Sequence, residues 1–236
     1  MSAVSAHPVR VEGRLDPQLS RWLWLVKWLL AIPHFIVLFF LFLAFLVLTI
    51  VAFFAILFTG RYPRSLFDFN VGVLRWAWRV SFYTYDALGT DRYPPFALGA
   101  EADYPATLEV QYPEQLSRGL VLVKWWLLAI PHYLVLGVFL GGGWFAWNGG
   151  WDEEGRGWSG GPGLIVLLVL FAAIALLFTA RYPRGIFELV VGLNRWVFRV
   201  VAYAALMTDV YPPFRLDQGG EDPGTSAPDG EPPAAA

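Results

Sequence analysis

Two histidines, two lysines and eight arginines carry most of the chemistry this sequence offers, and all of them come in matched pairs. His34 and His132 close the same block, Trp-Leu-Leu-Ala-Ile-Pro-His, at 28–34 and again at 126–132. Both lie within or at the edge of apolar stretches, where an ionisable group is costly and therefore a functional suspect. Two such imidazoles could ligate a haem axially or hold a metal ion. The preferred reading is plainer: a histidine at interface depth, bonded to a carbonyl that the adjacent proline leaves free. On that reading no cofactor and no metal is expected. Lys27 and Lys124 also interrupt apolar segments. They could line a polar path or pair with an acid such as Asp68 or Glu188, but their aliphatic stems favour snorkelling to headgroup level.

The arginines form two clusters, Arg61, Arg64, Arg75 and Arg79, then Arg181, Arg184, Arg195 and Arg199. Near an anionic leaflet each basic side chain attracts lipid by about 1 kcal/mol, and the planar guanidinium fork suits phosphate. Their other reading is topology alone, because basic residues beside a span hold it cytoplasmic; both roles can coexist. Asp86, Asp91 and Asp209 have no histidine or second carboxylate at fixed spacing. Asp91 is expected to cap a helix or to pair with an arginine of its own unit. No serine elbow, zinc-binding His-Glu-x-x-His or phosphate-binding lysine loop is present. With 0 Cys, thiolate ligands, cysteine nucleophiles and disulfides are excluded together. No catalytic residue is assigned.

The elements that would position these residues follow from an internal repeat. Gln18-Leu19-Ser20-Arg21 recurs at 115–118, Leu-Phe-Thr-(Gly/Ala)-Arg-Tyr-Pro-Arg at 57–64 and 177–184, and Asp-x-Tyr-Pro-Pro-Phe at 91–96 and 209–214. Gly72, Arg75, Trp76, Arg79 and Tyr83 match Gly192, Arg195, Trp196, Arg199 and Tyr203. The chain is therefore divided into unit 1 (1–100), unit 2 (101–217) and a Gly-, Pro- and acid-rich tail (218–236) expected to be disordered. Each unit opens on an alternating stretch, His7 to Gly13 and Tyr104 to Tyr112, which suggests strands able to pair as a short ribbon.

Composition places the chain in a membrane. Hydrophobic residues reach 57% and charged ones only 15%, against about a quarter charged in soluble domains. The 12 Trp suit membrane–water boundaries. A net charge of −2 gives no field for nucleic acid. The N-terminal residues lack the apolar core of a signal peptide. Trp22 to Phe58 contains one charge, Lys27, and as a single helix would reach about 55 Å, well beyond a hydrocarbon core of about 30 Å. Two solutions stand: an interfacial segment with a bend at Pro33 and one span, or a hairpin of two short spans. The second unit favours the hairpin, because a Gly-rich stretch with Asp152, Glu153, Glu154 and Arg156 separates Leu120–Trp147 from Leu164–Thr179. By analogy the first unit is expected to turn near Leu41 to Leu48, although that stretch has no Gly, Pro or Asn. The third segment of each unit, 66–87 and 186–207, is expected to be an amphipathic interfacial helix, entered after Pro63 or Pro183 and with Arg on one face. Basic residues then place both termini and both Arg clusters in the cytoplasm and the 148–163 loop outside.

At the Lys-Trp…Ile-Pro-His, Arg-Tyr-Pro-Arg and Tyr-Pro-Pro-Phe blocks the chain resembles a bacterial membrane family known as domain of unknown function 4389, over about 7–217. The resemblance implies a bacterial membrane protein without an established activity, and it carries over no catalytic residue. Ala180 for Gly60, Glu188 for Asp68 and the Gly-rich insertion depart from identity between the units. The expectation is an all-α, multi-pass protein of the bacterial inner membrane: two tandem repeats, each a transmembrane hairpin plus an amphipathic interfacial helix. Its expected role is a non-enzymatic, lipid-contacting scaffold or accessory subunit, with anionic lipids and an unidentified membrane protein as partners. A small carrier or channel, or a cofactor-binding enzyme built on the histidine pair, are the alternatives.

Overall fold

The computed structural model describes residues 7–141 and 163–217. It is mostly helical, with six helices and one two-stranded sheet among the described residues. In chain order these are β1 (Val9–Gly13), α1 (Trp24–Thr59), α2 (Arg64–Tyr83), β2 (Ala106–Val110), α3 (Leu120–Val123), α4 (Ile130–Leu140), α5 (Leu164–Thr179) and α6 (Arg184–Ala204). A single π turn, Lys124–Leu128, joins α3 to α4. The tail at 218–236 and the acidic stretch through Arg156 lie outside the described residues.

The expected hairpin in the first unit does not occur. Residues 41–48 lie in the middle of α1, which runs unbroken for 36 residues, about 54 Å. The physical reason is local: the stretch holds no residue with turn chemistry, and Leu, Phe and Ala continue the helix at little cost. Pro33 is absorbed without ending it. Gly60 then stops α1 in the left-handed conformation, φ 73°, its N–H bonded to Ile56 O.

The second unit is not folded back either. The offset between matching residues grows from 98 at His34/His132 to 120 at Thr59/Thr179, so 22 residues are inserted into what is one helix in the first unit. The ends of that insertion meet. Gly163 packs so closely that a Cβ there would fall 2.4 Å from Phe139 O and 2.5 Å from Gly141 N. α5 leads through Ala180 and Pro183 into α6, and α6 then passes Phe139 and His132 with Trp196 and reaches Lys124 beyond its end. α5, α4 and the π turn thus follow one another along α6, as α1 lies along α2.

A second irregularity has the same explanation. His34 stands seven positions after Lys27, whereas His132 stands eight positions after Lys124. The π turn at Lys124–Leu128 takes up the additional residue. Beyond it, α4 is bent by 41° relative to the helix before the break.

The strands pair antiparallel across the units, with Val11 opposite Leu108 at the centre. Val9, Val11, Ala106 and Leu108 face inward, while Arg10, Glu12 and Glu109 are exposed. This is the alternation of a half-buried ribbon. A bare two-stranded ribbon is marginal in water; here α2 and α6 cover its inner face, with Trp78 Nε1 donating to Glu12 O at 2.9 Å. The layers are therefore long apolar helices, then α2 and α6, then the ribbon and the loops. The two halves interlock: Leu116 N donates to Gly60 O, Tyr182 Oη to Ala87 O and Asn194 Nδ2 to Asp86 O.

α2 and α6 depart from the expected surface position. Thirteen of the 20 residues of α2 are buried, among them Trp76, Trp78 and Arg79. An apolar face meets α1, and the opposite, arginine-bearing face meets the ribbon and the loops instead of water or lipid.

Candidate functional site

In each half the Asp-x-Tyr-Pro-Pro-Phe segment is clasped against the start of the long apolar helix. Lys27 lies on the buried stripe of α1, 1% exposed, and its Nζ reaches Asp91 Oδ1 at 2.9 Å and Thr90 O at 2.7 Å. The other carboxylate oxygen of Asp91 accepts the backbone N–H of Ser20, so one side chain anchors both the lysine and the segment that leads into α1. Tyr83 supplies a ring 4.9 Å from Nζ. The second half repeats this contact for contact. Lys124 Nζ lies 2.7 Å from Asp209 Oδ1 and 3.1 Å from Thr208 O, Ser117 N donates to Asp209 Oδ2 at 2.6 Å, and Tyr203 stands 5.7 Å away. A lysine withdrawn from water is tolerable only with such compensation. Neither lysine snorkels, and neither pairs with Asp68 or Glu188; those expectations are corrected. Asp91 forms its ion pair with lysine instead of arginine, and its bond to Ser20 precedes α1 without capping it.

Two helical turns along, the histidine holds the aromatic half of the same segment. His34 is fully buried, stacked on Phe96 at 4.0 Å and 15°, with Tyr93 at 4.8 Å. Its Nδ1 accepts the Trp76 indole N–H at 3.1 Å. His132 stacks on Phe214 at 4.5 Å and 20°, beside Tyr211 and Trp196. Here the indole is tilted away, and neither imidazole nitrogen has a protein partner among the described residues. The rings thus occupy separate aromatic boxes, and no carbonyl freed by proline bonds either one. Among the described residues no group of three or more His, Asp or Glu side chains could hold a metal ion.

The eight arginines divide into two classes. Arg75 donates to Leu108 O at 3.1 Å and Leu98 O at 3.2 Å, and Arg195 to Val11 O at 3.1 Å and Leu216 O at 2.7 Å. Arg79 donates to Ala97 O, and Arg199 to Arg215 O and Asp217 O. Burial lowers the proton affinity of Arg79, and that of Arg199 to about 10, with neighbouring Arg195 adding to the latter; both stay charged at neutral pH. Guanidinium donors thus satisfy the carbonyls of the ribbon and of the loops beyond each Tyr-Pro-Pro-Phe, where no strand partner exists. These four serve the interior. Arg61, Arg64, Arg181 and Arg184 are exposed, at the ends of the long apolar helices. Arg61 and Arg118 border a cleft of about 380 Å³ with Gly60 and Gln115; Arg181 and Arg184 border its counterpart of about 430 Å³ with Asp16 and Pro17.

Sequence reasoning singled out the lysines, histidines and arginines but missed their partners: Thr90, Trp76, Tyr93 and Phe96, and their counterparts Thr208, Trp196, Tyr211 and Phe214. The signal was present, since most of these stand in the recurring blocks. Two blocks that both recur but lie about 60 residues apart are candidates for touching each other.

Fold and clasps together define a mostly helical protein with one helix, Trp24–Thr59, long and apolar enough to cross a membrane. The chain belongs to the family described as domain of unknown function (DUF4389), whose family model matches residues 21–97 and 162–215. Those bounds take in the first clasp apart from Ser20 and, in the second half, Trp196 and the Asp-x-Tyr-Pro-Pro-Phe strap. No curated protein and no solved structure matches the chain.

Proposed function

We propose that this is a non-catalytic resident of the bacterial inner membrane, two fused units at 1–100 and 101–217, that serves as a lipid-contacting scaffold or accessory subunit. The observation that carries the reading is the surface of α1. Leu25, Phe35, Phe40, Leu46, Val51 and Phe58 are each 45–72% exposed on different sides of the helix, while its one charge is buried in an ion pair. A soluble protein does not leave an apolar surface of that length open. Arg61, Arg64, Arg181 and Arg184, free of the carbonyl contacts that occupy the other four, are the candidates for anionic headgroups, and their basic charge favours the cytoplasmic face. Lys27 and Lys124 are held by Asp91 and Asp209, which argues against a carrier path built on them, and the two histidines stand in separate aromatic boxes.

Two measurements test this. The protein should stay with the membrane pellet through an alkaline carbonate wash; release into the supernatant would end the membrane reading. Changing Arg61, Arg64, Arg181 and Arg184 together to Gln should weaken binding to vesicles containing phosphatidylglycerol by roughly tenfold or more, at about 1 kcal/mol per basic residue discounted for the Arg64–Asp68 pair. Unchanged binding would return these arginines to a purely topological role.

A further inference from the structure

We infer that the two long apolar rods, α1 and the α3–α4–α5 run, lie flat within one leaflet of the bilayer and do not cross it. This rests on the membrane reading above and adds the orientation. Three observations carry it.

The covered stripe of α1 is narrow: Lys27, Ala31, His34 and Leu38 are buried towards one end, Ala52 and Ile56 towards the other, and Leu41, Phe45 and Thr49 between them are half-buried. Protein lies along that stripe from one end to the other. Tyr85 Oη donates to Trp24 O and Tyr93 Oη to Leu30 O near the start, and Asn70 Nδ2 to Thr49 Oγ1 further on. No stretch of α1 as long as a membrane core stands clear of the layers behind it.

Those layers are polar at the middle of the rod. Arg75, near the centre of α2, holds Leu108 O, and Arg195, near the centre of α6, holds Val11 O; these carbonyls belong to the central pair of the ribbon. Exposed Arg10, Glu12 and Glu109 point outward from there. With α1 along the membrane normal, these charges would face hydrocarbon at mid-depth. Charged side chains are not left facing lipid there. With α1 in the membrane plane, all of them face water.

The rods run in opposite directions, since Leu116, just before α3, bonds Gly60 at the end of α1, while Pro17 and Leu19, before α1, line one cleft with Ala180, after α5. Exposed arginines therefore stand at both ends of the pair: Arg61, Arg64 and Arg118 at one, Arg21, Arg181 and Arg184 at the other. Laid flat, both groups sit at one headgroup level, with an apolar surface between them on which no described residue is an exposed charge.

The absence of cysteine permits a direct test. Gln18→Cys and Ser65→Cys bracket α1, and Glu109→Cys marks the outer face of the ribbon; all three native side chains are exposed. An impermeant maleimide applied to right-side-out and to inverted membrane vesicles should label all three from the same side, at least tenfold faster than from the other. Labelling of Gln18→Cys and Ser65→Cys from opposite sides would overturn the flat placement and leave membrane residency intact; failure to sediment with vesicles would overturn residency itself. Bimane on Leu29→Cys, Phe40→Cys and Val51→Cys should be quenched to equal depth by nitroxide lipids. A graded depth would mean that α1 crosses, and no quenching at any position would mean that a second copy of the chain covers this face.

Discussion

The two halves build the same clasp on helices of very different continuity. In the first, α1 carries Lys27 and His34 on one uninterrupted rod. In the second, the equivalent rod is interrupted twice, by a π turn and by 22 inserted residues, yet Lys124 still meets Asp209 at 2.7 Å and His132 still stacks on Phe214. The difference shows what the fold has to conserve. It is the angular position of lysine and histidine over the Tyr-Pro-Pro-Phe strap, with helix regularity subordinate to it. An inserted residue would turn Lys124 by about 100° away from that strap in an α-helix. A π turn accommodates the residue locally and returns the chain to register. The larger insertion is tolerated because it enters and leaves at one point, where Gly163 alone can lie against Phe139–Gly141.

Deleting one tryptophan from each half puts the largest load on this comparison. Removal of Trp125 should let the π turn become α-helix with the Lys124–Asp209 pair intact, at a change within about 1 kcal/mol. Removal of Trp28 should swing Lys27 away from Asp91 and leave a buried charge uncompensated, about 3–5 kcal/mol. Thermal unfolding in detergent followed by circular dichroism reads both. Equal losses would mean that the π turn does not absorb the additional residue.

A smaller asymmetry lies in the aromatic boxes. Trp76→Phe removes the indole hydrogen bond to His34, whereas Trp196→Phe removes an indole N–H without a partner among the described residues. The first change should be worse than the second by about 1 kcal/mol. If the two cost the same, the unpartnered indole of the second half has a bond of equal worth, to water or lipid.

The smallest effect is expected where the rods end. Gly60 and Ala180 both adopt left-handed backbone, φ 73° and 58°. Gly60→Ala should destabilise by about 1 kcal/mol, and Ala180→Gly should stabilise by somewhat less, because glycine also loses more freedom on folding. Opposite signs for the two changes are the expected outcome; a loss from Ala180→Gly would show that the alanine methyl packs well enough to outweigh its strain.

The sequence by itself determined what depends on composition, period and recurrence. The mostly helical character, the apolar stretch from Trp22 to Phe58, the alternating ribbon strands and the start of α2 and α6 after Pro63 and Pro183 were all legible, because each is set by neighbours a few residues away. The residues that matter were also legible, since Lys27, His34, Asp91 and their counterparts recur in fixed blocks. Only the tertiary structure decided what those residues do. The pairing of Lys27 with Asp91 spans 64 positions in the chain, and no periodicity records it. Arg75 and Arg199 read as a phosphate-seeking face of an interfacial helix, because a helix wheel shows which residues share a side and not what lies opposite. The same limit hid the fate of the Gly-rich insertion. A run of glycines marks where regular structure stops, but whether the chain then turns back or resumes its line is set by what the next helix packs against, and here that is α6.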